Sequence, residues 1–581
     1  MPAISEDTLT YQIVGQDGGV QVLRKYVPDL LDDPKLRNLH SFPLRMVLDQ
    51  TELVRGSTAR DALVDELAAI SVATFPDERT QHEVNRGEGL HPKGTCRFEA
   101  ATRAWERFEV VFTGPSEGNP VLDISLEATF TCGDVSVNVP GFYDGDGRYL
   151  IRLLIPSAGS WTFVTSSSAE ELDGITGAFT AGERAQANRG IVQVANKFHF
   201  GYSDGTAYRP MGTTSYSWIH QQREIVDQTL ETLADGTFNK MRMCIFPKSY
   251  YLCENEPSMY PFDGDPESGF DLARPNFRFF QHLDAMVQRL DEMGIEADLI
   301  LFHGYDRWGF SSMPPEYDDL YVKYVVSRLA GYRNVWWSLA NEFDLMPGKT
   351  ANDWERYAEI IRQNDPTGHL LSIHNSIQFY NHSRPWVTHC SIQQNHFYLT
   401  AEETTRWRQE WQKPIVIDEC VYEGNIDRRW GDITGRELTR RFWEGAIRGG
   451  YVGHSETYAH PDDILWWAKG GHLYGSSPSR IAFLDRILAE SPDGFLEPLP
   501  QQDKIIAAGI PDQYEVVYFG LNRPAFWHFD KPEGLSFTID VIDTWNMTIE
   551  TLPGTFSGSF RLDLPGTEYI ALRFRAVLHD H

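Results

Sequence analysis

At 581 residues the chain is longer than one ordinary domain, and its 41% hydrophobic and 23% charged content is that of a globular protein. The net charge of −30, from 52 basic and 82 acidic residues, repels phosphate backbones and anionic lipid, which argues against nucleic-acid and membrane partners. The first residues, MPAISEDTLTYQIVG, carry no signal-like pattern, no run of about 18 apolar residues occurs, and the six cysteines are scattered without metal-type spacing, so the expectation is a cytoplasmic protein with reduced thiols.

Residues 1–95 have helical spacing in Leu30, Leu31, Leu36 and Leu39 and again over Ala59–Ile70, which predicts a mainly helical segment that packs on the rest of the chain or on another subunit, hence a possible homo-oligomer. Over 96–188 the pattern turns to short β-type runs: Arg107–Phe112, Val121–Phe130, Val135–Val139, Tyr149–Ile155 and Trp161–Thr165. Gly/Pro turns separate them, as in a β-sandwich. Over 189–497 apolar β-type runs alternate with helical stretches. Eight candidate strands are Tyr208–Thr213, Lys240–Phe246, Ala297–Phe302, Val335–Ala340, Leu370–Ile373, Cys390–Gln394, Pro414–Asp418 and Gly450–His454. Helices are expected over Phe277–Glu292, Asp318–Leu329, Trp354–Gln363 and Glu437–Arg448. Eight β/α units predict an α/β fold, a (β/α)8 TIM barrel. After Pro498 the runs Tyr514–Phe519, Ser536–Ile542, Trp545–Ile549 and Tyr569–Phe574 predict a small C-terminal β-sandwich over 498–581.

In such a barrel the reactive side chains sit at the C-terminal strand ends. The fourth strand ends in Asn341-Glu342 and the seventh in Asp418-Glu419. Strands four and seven oppose each other across a barrel, so the two glutamates would face one volume. Hydrolysis of a glycoside needs such a pair, one acid to protonate the leaving oxygen and one carboxylate to attack the anomeric carbon. Two other carboxylates compete for the second role: Glu423, which should already lie in the loop, and Glu456 beyond strand eight. Glu419, at the strand end itself, is the preferred nucleophile. The histidines His374, His382, His389 and His396 admit a metal-dependent barrel hydrolase as one alternative, although no His-x-His ends strand one and no HExxH motif occurs. A non-catalytic carbohydrate-binding barrel is the other alternative, and the two intact carboxylates argue against it.

Ser338-Leu-Ala-Asn-Glu342 with Pro414-Ile-Val-Ile-Asp-Glu419 resembles the strand-four and strand-seven signatures of glycoside hydrolase clan A, in a family-5-like layout. Trp105–Pro115 and Gly141–Gly145 resemble the N-terminal β-domain of a group of bacterial barrel glycosidases. The resemblance implies a retaining enzyme with Glu342 as general acid/base and Glu419 as nucleophile, their carboxyls about 5–5.5 Å apart. It also implies that Asn341 holds the sugar 2-hydroxyl, that Arg242 keeps the nucleophile ionised, and that His396 and Tyr398 flank the acid/base and the nucleophile, with the Tyr398 hydroxyl on Glu419. Further candidates for binding hydroxyls or stacking on the sugar are Trp218 after strand one, His303, Asp306 and Trp308 after strand three, His374 after strand five, and His454 and Glu456 at strand eight. A carbohydrate is the expected partner, with action from chain ends on short glycosides. No cofactor and no catalytic metal are expected.

Overall fold

The structure is a computed structural model that describes residues 4–6, 8, 10–14, 17–31, 43–49, 51, 56–70, 94–459, 465–500 and 505–577. Leu36 and Leu39 lie outside them. The chain divides into two compact units, one of Met1–Asn188, Cys244–Gln288 and Leu299–Gly368, the other of Arg189–Met243, Arg289–Asp298 and His369–His581.

The first unit begins with helices Thr10–Val14, Asp17–Tyr26, Leu44–Leu48 and Thr58–Ala68. Ser57 caps the last of these by accepting the Arg60 N–H. Leu23, Leu44, Leu48, Leu63 and Leu67 bury their side chains together. Arg60, itself 2% exposed, ties three stretches to one another through Glu6 at 2.6 Å and Asp49 at 2.7 Å.

Next comes a mostly antiparallel eight-stranded sheet, ordered Cys96–Arg97, Arg107–Thr113, Arg148–Leu154, Val135–Tyr143, Leu126–Cys132, Gly159–Ser167, Thr176–Gly182, Ala101–Arg103. Side chains alternate along its strands: Trp161, Phe163 and Thr165 point inward while their neighbours are exposed. Phe108, Phe130, Trp161 and Phe179 anchor the core. One expected strand differs. Pro120–Asp123 is a helical turn, started by a proline that needs no N–H there, and the strand begins only at Leu126.

Eight strands run Gly212–Thr214, Lys240–Cys244, Glu296–His303, Val335–Asn341, Leu370–Ser372, Cys390–Gln393, Ile415–Glu419 and Tyr451–His454. Numbered one to eight in chain order, they share one sheet in the order five, four, three, two, one, eight, seven, six. Every strand except the sixth therefore neighbours the one before it in the chain, and the eighth lies beside the first. A parallel bridge between His374 and Ser391 joins the segment after strand five to strand six. A ring of strands in chain order is the order of a TIM-barrel-like α/β fold. The first strand is shorter than expected: Ala207–Tyr208 pairs instead with His199–Tyr202, and Pro210, which cannot donate to a ladder, separates the two.

The second unit ends in a five-stranded antiparallel sheet, Ile506–Ile510, Tyr514–Tyr518, Ile570–Ala576, Phe537–Asp543 and Thr548–Thr551, with a separate pair Phe526–Asp530 and Ser559–Asp563. The expected strand at Trp545 starts later, because Asp543 accepts the Trp545 and Asn546 N–H groups and bends the chain into a turn. None of the six cysteines forms a disulfide. Among the described residues no helix is long and apolar enough to cross a membrane.

Candidate active site

Glu419 ends strand seven with its side chain 12% exposed. The Tyr216 hydroxyl, two residues past the end of strand one, donates to its Oε1. His374 Nε2 lies 3.9 Å from the same oxygen. Burial, together with the Arg242 and Lys240 charges, drives His374 well below the usual histidine range, so the ring is neutral. Burial and the Glu419 charge raise the Tyr216 and Tyr422 hydroxyls well above the usual phenol value, so both rings keep their protons beside the carboxylate. Tyr422 contacts Trp430 at 6.2 Å between ring centroids, Trp430 contacts Trp467 at 4.8 Å, and Trp467 meets Tyr216 edge-on at 5.7 Å. An arc of aromatic rings thus runs from one side of Glu419 to the other. Val421, inside this arc, has φ 69°, a left-handed conformation that a β-branched residue rarely adopts.

Behind Glu419 lies a buried ionic cluster. Lys240 Nζ bonds Asp298 at 2.6 Å and Asp418 at 2.8 Å, and Arg242 Nη1 lies 3.3 Å from Asp298. Ser391 Oγ donates to Asp418 at 2.5 Å. Burial opposes ionisation of Asp418, yet the Lys240 and Arg242 charges hold it well below the usual carboxylate range. Burial likewise works against the Arg242 cation, and Asp298, Asp418 and Glu419 together keep it firmly charged. A permanent cation therefore stands in the field of Glu419. The ion cluster was not anticipated, although a lysine and an aspartate inside otherwise apolar strands (Lys240-Met-Arg-Met and Glu296-Ala-Asp-Leu-Ile) are charges that must be paired when buried.

Glu342 follows strand four at 5% exposure with φ 56° and ψ 57°. A non-glycine residue in this region is strained by about 1–3 kcal/mol, and such strain collects at functional sites. Asn341 Nδ2 donates to Glu342 Oε2 at 3.2 Å. The chain then turns into a 3-10 helix, Phe343–Leu345, where the Leu345 N–H donates to the Glu342 carbonyl at 2.9 Å.

Several expected contacts are replaced by others. Tyr398, expected to hold the nucleophile, is 74% exposed; Tyr216 supplies that hydroxyl. His396 is exposed and accepts the Tyr398 and Leu399 N–H groups, which shapes its own loop. Trp218, expected as a sugar platform, is fully buried and points its N–H at the Met243 sulfur, 3.0 Å away. His303 is engaged by backbone on both nitrogens, at Phe246 O and Tyr305 N. Asp306 accepts the Trp308 and Ser311 N–H groups and organises the loop after strand three, where Trp308 donates to Glu256. His454 is buried, shares a proton with the Thr213 hydroxyl at 2.9 Å and stacks on Phe238. Glu456, 1% exposed, accepts the Tyr474 and Gly475 N–H groups. A cavity of about 570 Å³ lined by Tyr143, Asp144, Asp263, Arg274 and Phe277 contains none of the expected site residues.

Residues 195–478 match the family described as "Apiosidase-like, catalytic domain", while residues 101–168 and 503–575 match two domains of unknown function, DUF5060 and DUF5605. No curated protein matches the chain. Among solved structures, a candidate glycoside hydrolase from Bacteroides vulgatus is 38% identical over 82% of this chain and 100% of its own, with a TM-score of 0.79. The chain belongs to the glycoside hydrolases. A family 5 glycoside hydrolase from the same organism is 16% identical over 67% of this chain and 94% of its own, with a TM-score of 0.50, a likeness of fold. The hydrolase accordingly acts on a carbohydrate, and the strand ends just described are where its chemistry is to be sought.

Proposed function

We propose that this glycoside hydrolase works with retention of configuration, by double displacement, with Glu419 as nucleophile and Glu342 as general acid/base. In the first step a Glu419 oxygen bonds to the anomeric carbon as the glycosidic C–O bond breaks, and Glu342 gives its proton to the leaving oxygen. In the second, Glu342 takes a proton from water, the water oxygen attacks the anomeric carbon, and the ester bond to Glu419 breaks. The observation that carries the reading is the environment of Glu419: a partly exposed carboxylate at a strand end, held by a tyrosine hydroxyl and in the field of a permanent cation. Asn341, which already touches the Glu342 carboxyl, is the residue to hold a sugar hydroxyl. We read the flanking sheets as β-sandwiches that support the barrel, and the substrate as a short glycoside attacked from its end. The name of the matched family makes apiosides the first substrates to try.

Azide separates the roles. With a dinitrophenyl glycoside, whose leaving group departs without a proton, Glu342→Ala still forms the glycosyl-enzyme, and added azide restores turnover with a retained glycosyl azide. In Glu419→Ala azide takes the vacated place and gives the inverted product. NMR coupling constants tell the two apart, and exchanged stereochemistry means exchanged roles.

A further inference from the structure

The matched family regions begin at residue 101, and the 38% identical relative, although covered over its full length, accounts for 82% of this chain. The helices before residue 71 lie outside those matched regions. Ile13, Leu23, Val27, Leu44, Leu48, Leu63 and Leu67 are buried in one cluster with Tyr305 and Leu345 of the same chain. Those two residues are 7% and 8% exposed.

Both partners lie on loops that leave the C-terminal ends of barrel strands. Tyr305 follows strand three, which ends at His303, and Leu345 closes the 3-10 turn that starts from Glu342. The loop after strand two joins them. Tyr250 packs on Tyr305 with ring centroids 4.8 Å apart, the Lys248 ammonium lies 4.2 Å above the Tyr305 ring, and the Ser249 N–H donates to the Tyr305 carbonyl. Gly304 fits where any side chain would stand 3.0 Å from the Leu345 carbonyl oxygen, so loops three and four approach closely backbone to backbone. The helices thus rest on three consecutive loops of the face where barrel enzymes bind substrate, and their contact at Leu345 is one helical turn from Glu342.

We propose that the N-terminal helices form a wall of the substrate site on the leaving-group side and restrict the leaving group to a compact one. The inference rests on the reading of Glu342 as general acid, because the group that protonates the leaving oxygen marks where the leaving group lies. A wall packed against that turn takes up space that a longer leaving group would need. It is held there by a hydrophobic core, and the buried Arg60 ion pairs fix its pieces to one another, so its position is set by folding rather than by substrate.

The test compares two substrates that share the glycone on which the enzyme proves active: its 4-nitrophenyl glycoside, and the same sugar linked to a trisaccharide. Leu63→Asp places a charge in the core of the helical segment. The expected result is that kcat/KM on the trisaccharide-linked substrate rises at least about tenfold relative to the aryl glycoside, for which it stays within about threefold, a change of about 1.4 kcal/mol in selectivity. An unchanged ratio, in a variant whose 58–68 amides exchange faster, overturns the proposal. If Leu63→Asp does not fold, hydrogen exchange on Glu419→Gln serves instead. The trisaccharide-linked substrate should slow exchange in the helices over 17–26 and 58–68, the free monosaccharide should not, and equal exchange with both overturns the wall. Azide rescue of Glu342→Ala reports the acid role separately. If rescue holds and selectivity does not move, the wall alone falls; if rescue fails, the reading beneath it falls.

Discussion

Glu419 and Glu423 leave the end of the seventh strand four residues apart, and the protein treats them in opposite ways. Glu423 is fully buried and uses both oxygens: it accepts the Ser476 N–H at 2.7 Å, the Ser476 and Tyr458 hydroxyls at 2.9 Å and the Ser477 N–H at 2.9 Å. Burial works against its charge, but these donors, two of them at the start of helix Ser477–Ala489, hold it below the usual carboxylate value. Glu419 has a hydroxyl on one oxygen, a cation in its field and 12% of its side chain open. A carboxylate held by donors on both oxygens fixes a fold. One left partly open, as in the role proposed for Glu419, has an oxygen free to attack a carbon.

Mutation tells the two glutamates apart. The largest effect is expected at Glu419, where alanine should lower kcat by at least about 10⁴-fold without azide, since no covalent intermediate forms. Glu423→Gln should leave kcat within about fivefold and lower stability by about 1–3 kcal/mol, because an amide NH2 then faces N–H donors. Loss of turnover in folded Glu423→Gln would reverse the assignment.

A smaller effect probes the structural half. Glu456 pairs in register with Glu423. Burial, despite the Tyr474 and Gly475 N–H groups and helped by the Glu423 charge, pushes its carboxyl up to about 7 from an ordinary 4.5. Between those values the folded chain keeps a proton that the unfolded chain has released. The stabilisation is therefore complete below the unfolded value and is lost as pH rises through the folded one, up to about 3 kcal/mol in all. Glu456→Gln should flatten that decline in thermal melts between pH 4.5 and pH 7.5, and an equally steep decline would mean the carboxyl ionises freely.

The smallest effect belongs to Tyr216. Tyr216→Phe should lower kcat/KM by about 10- to 100-fold, because the hydroxyl that donates to Glu419 has gone. Tyr398→Phe should leave kcat/KM unchanged, and a loss there instead would restore the tyrosine expected from sequence.

The barrel was legible because its strands are short apolar runs that end abruptly in polar residues. Seven of the eight lie at the expected places and the first begins later, at Gly212, while the ends of strands four and seven displayed the two glutamates. What sequence concealed was direction. Nothing in Tyr216 or Tyr398 tells which hydroxyl turns toward Glu419, because that depends on a buried tyrosine after strand one and an exposed one after strand six. Trp218 looked like a platform and is packed against Met243. In the C-terminal part Phe526–Asp530 and Ser559–Asp563 escaped notice because each buries only one residue of five, too little for an alternating pattern.

The left-handed backbone at Glu342 has a consequence for how such a protein drifts over generations. Only Gly, and to a lesser degree Asn or Asp, enters this conformation cheaply, so the glutamate sits there against the preference of its own backbone. On the role proposed for it, Glu342→Gly would lose the acid and relieve the strain in a single step. Were selection for hydrolysis to lapse, this position would be free to slide downhill, and a descendant with glycine or asparagine after the strand-four Asn would trade the proposed acid for a more stable fold.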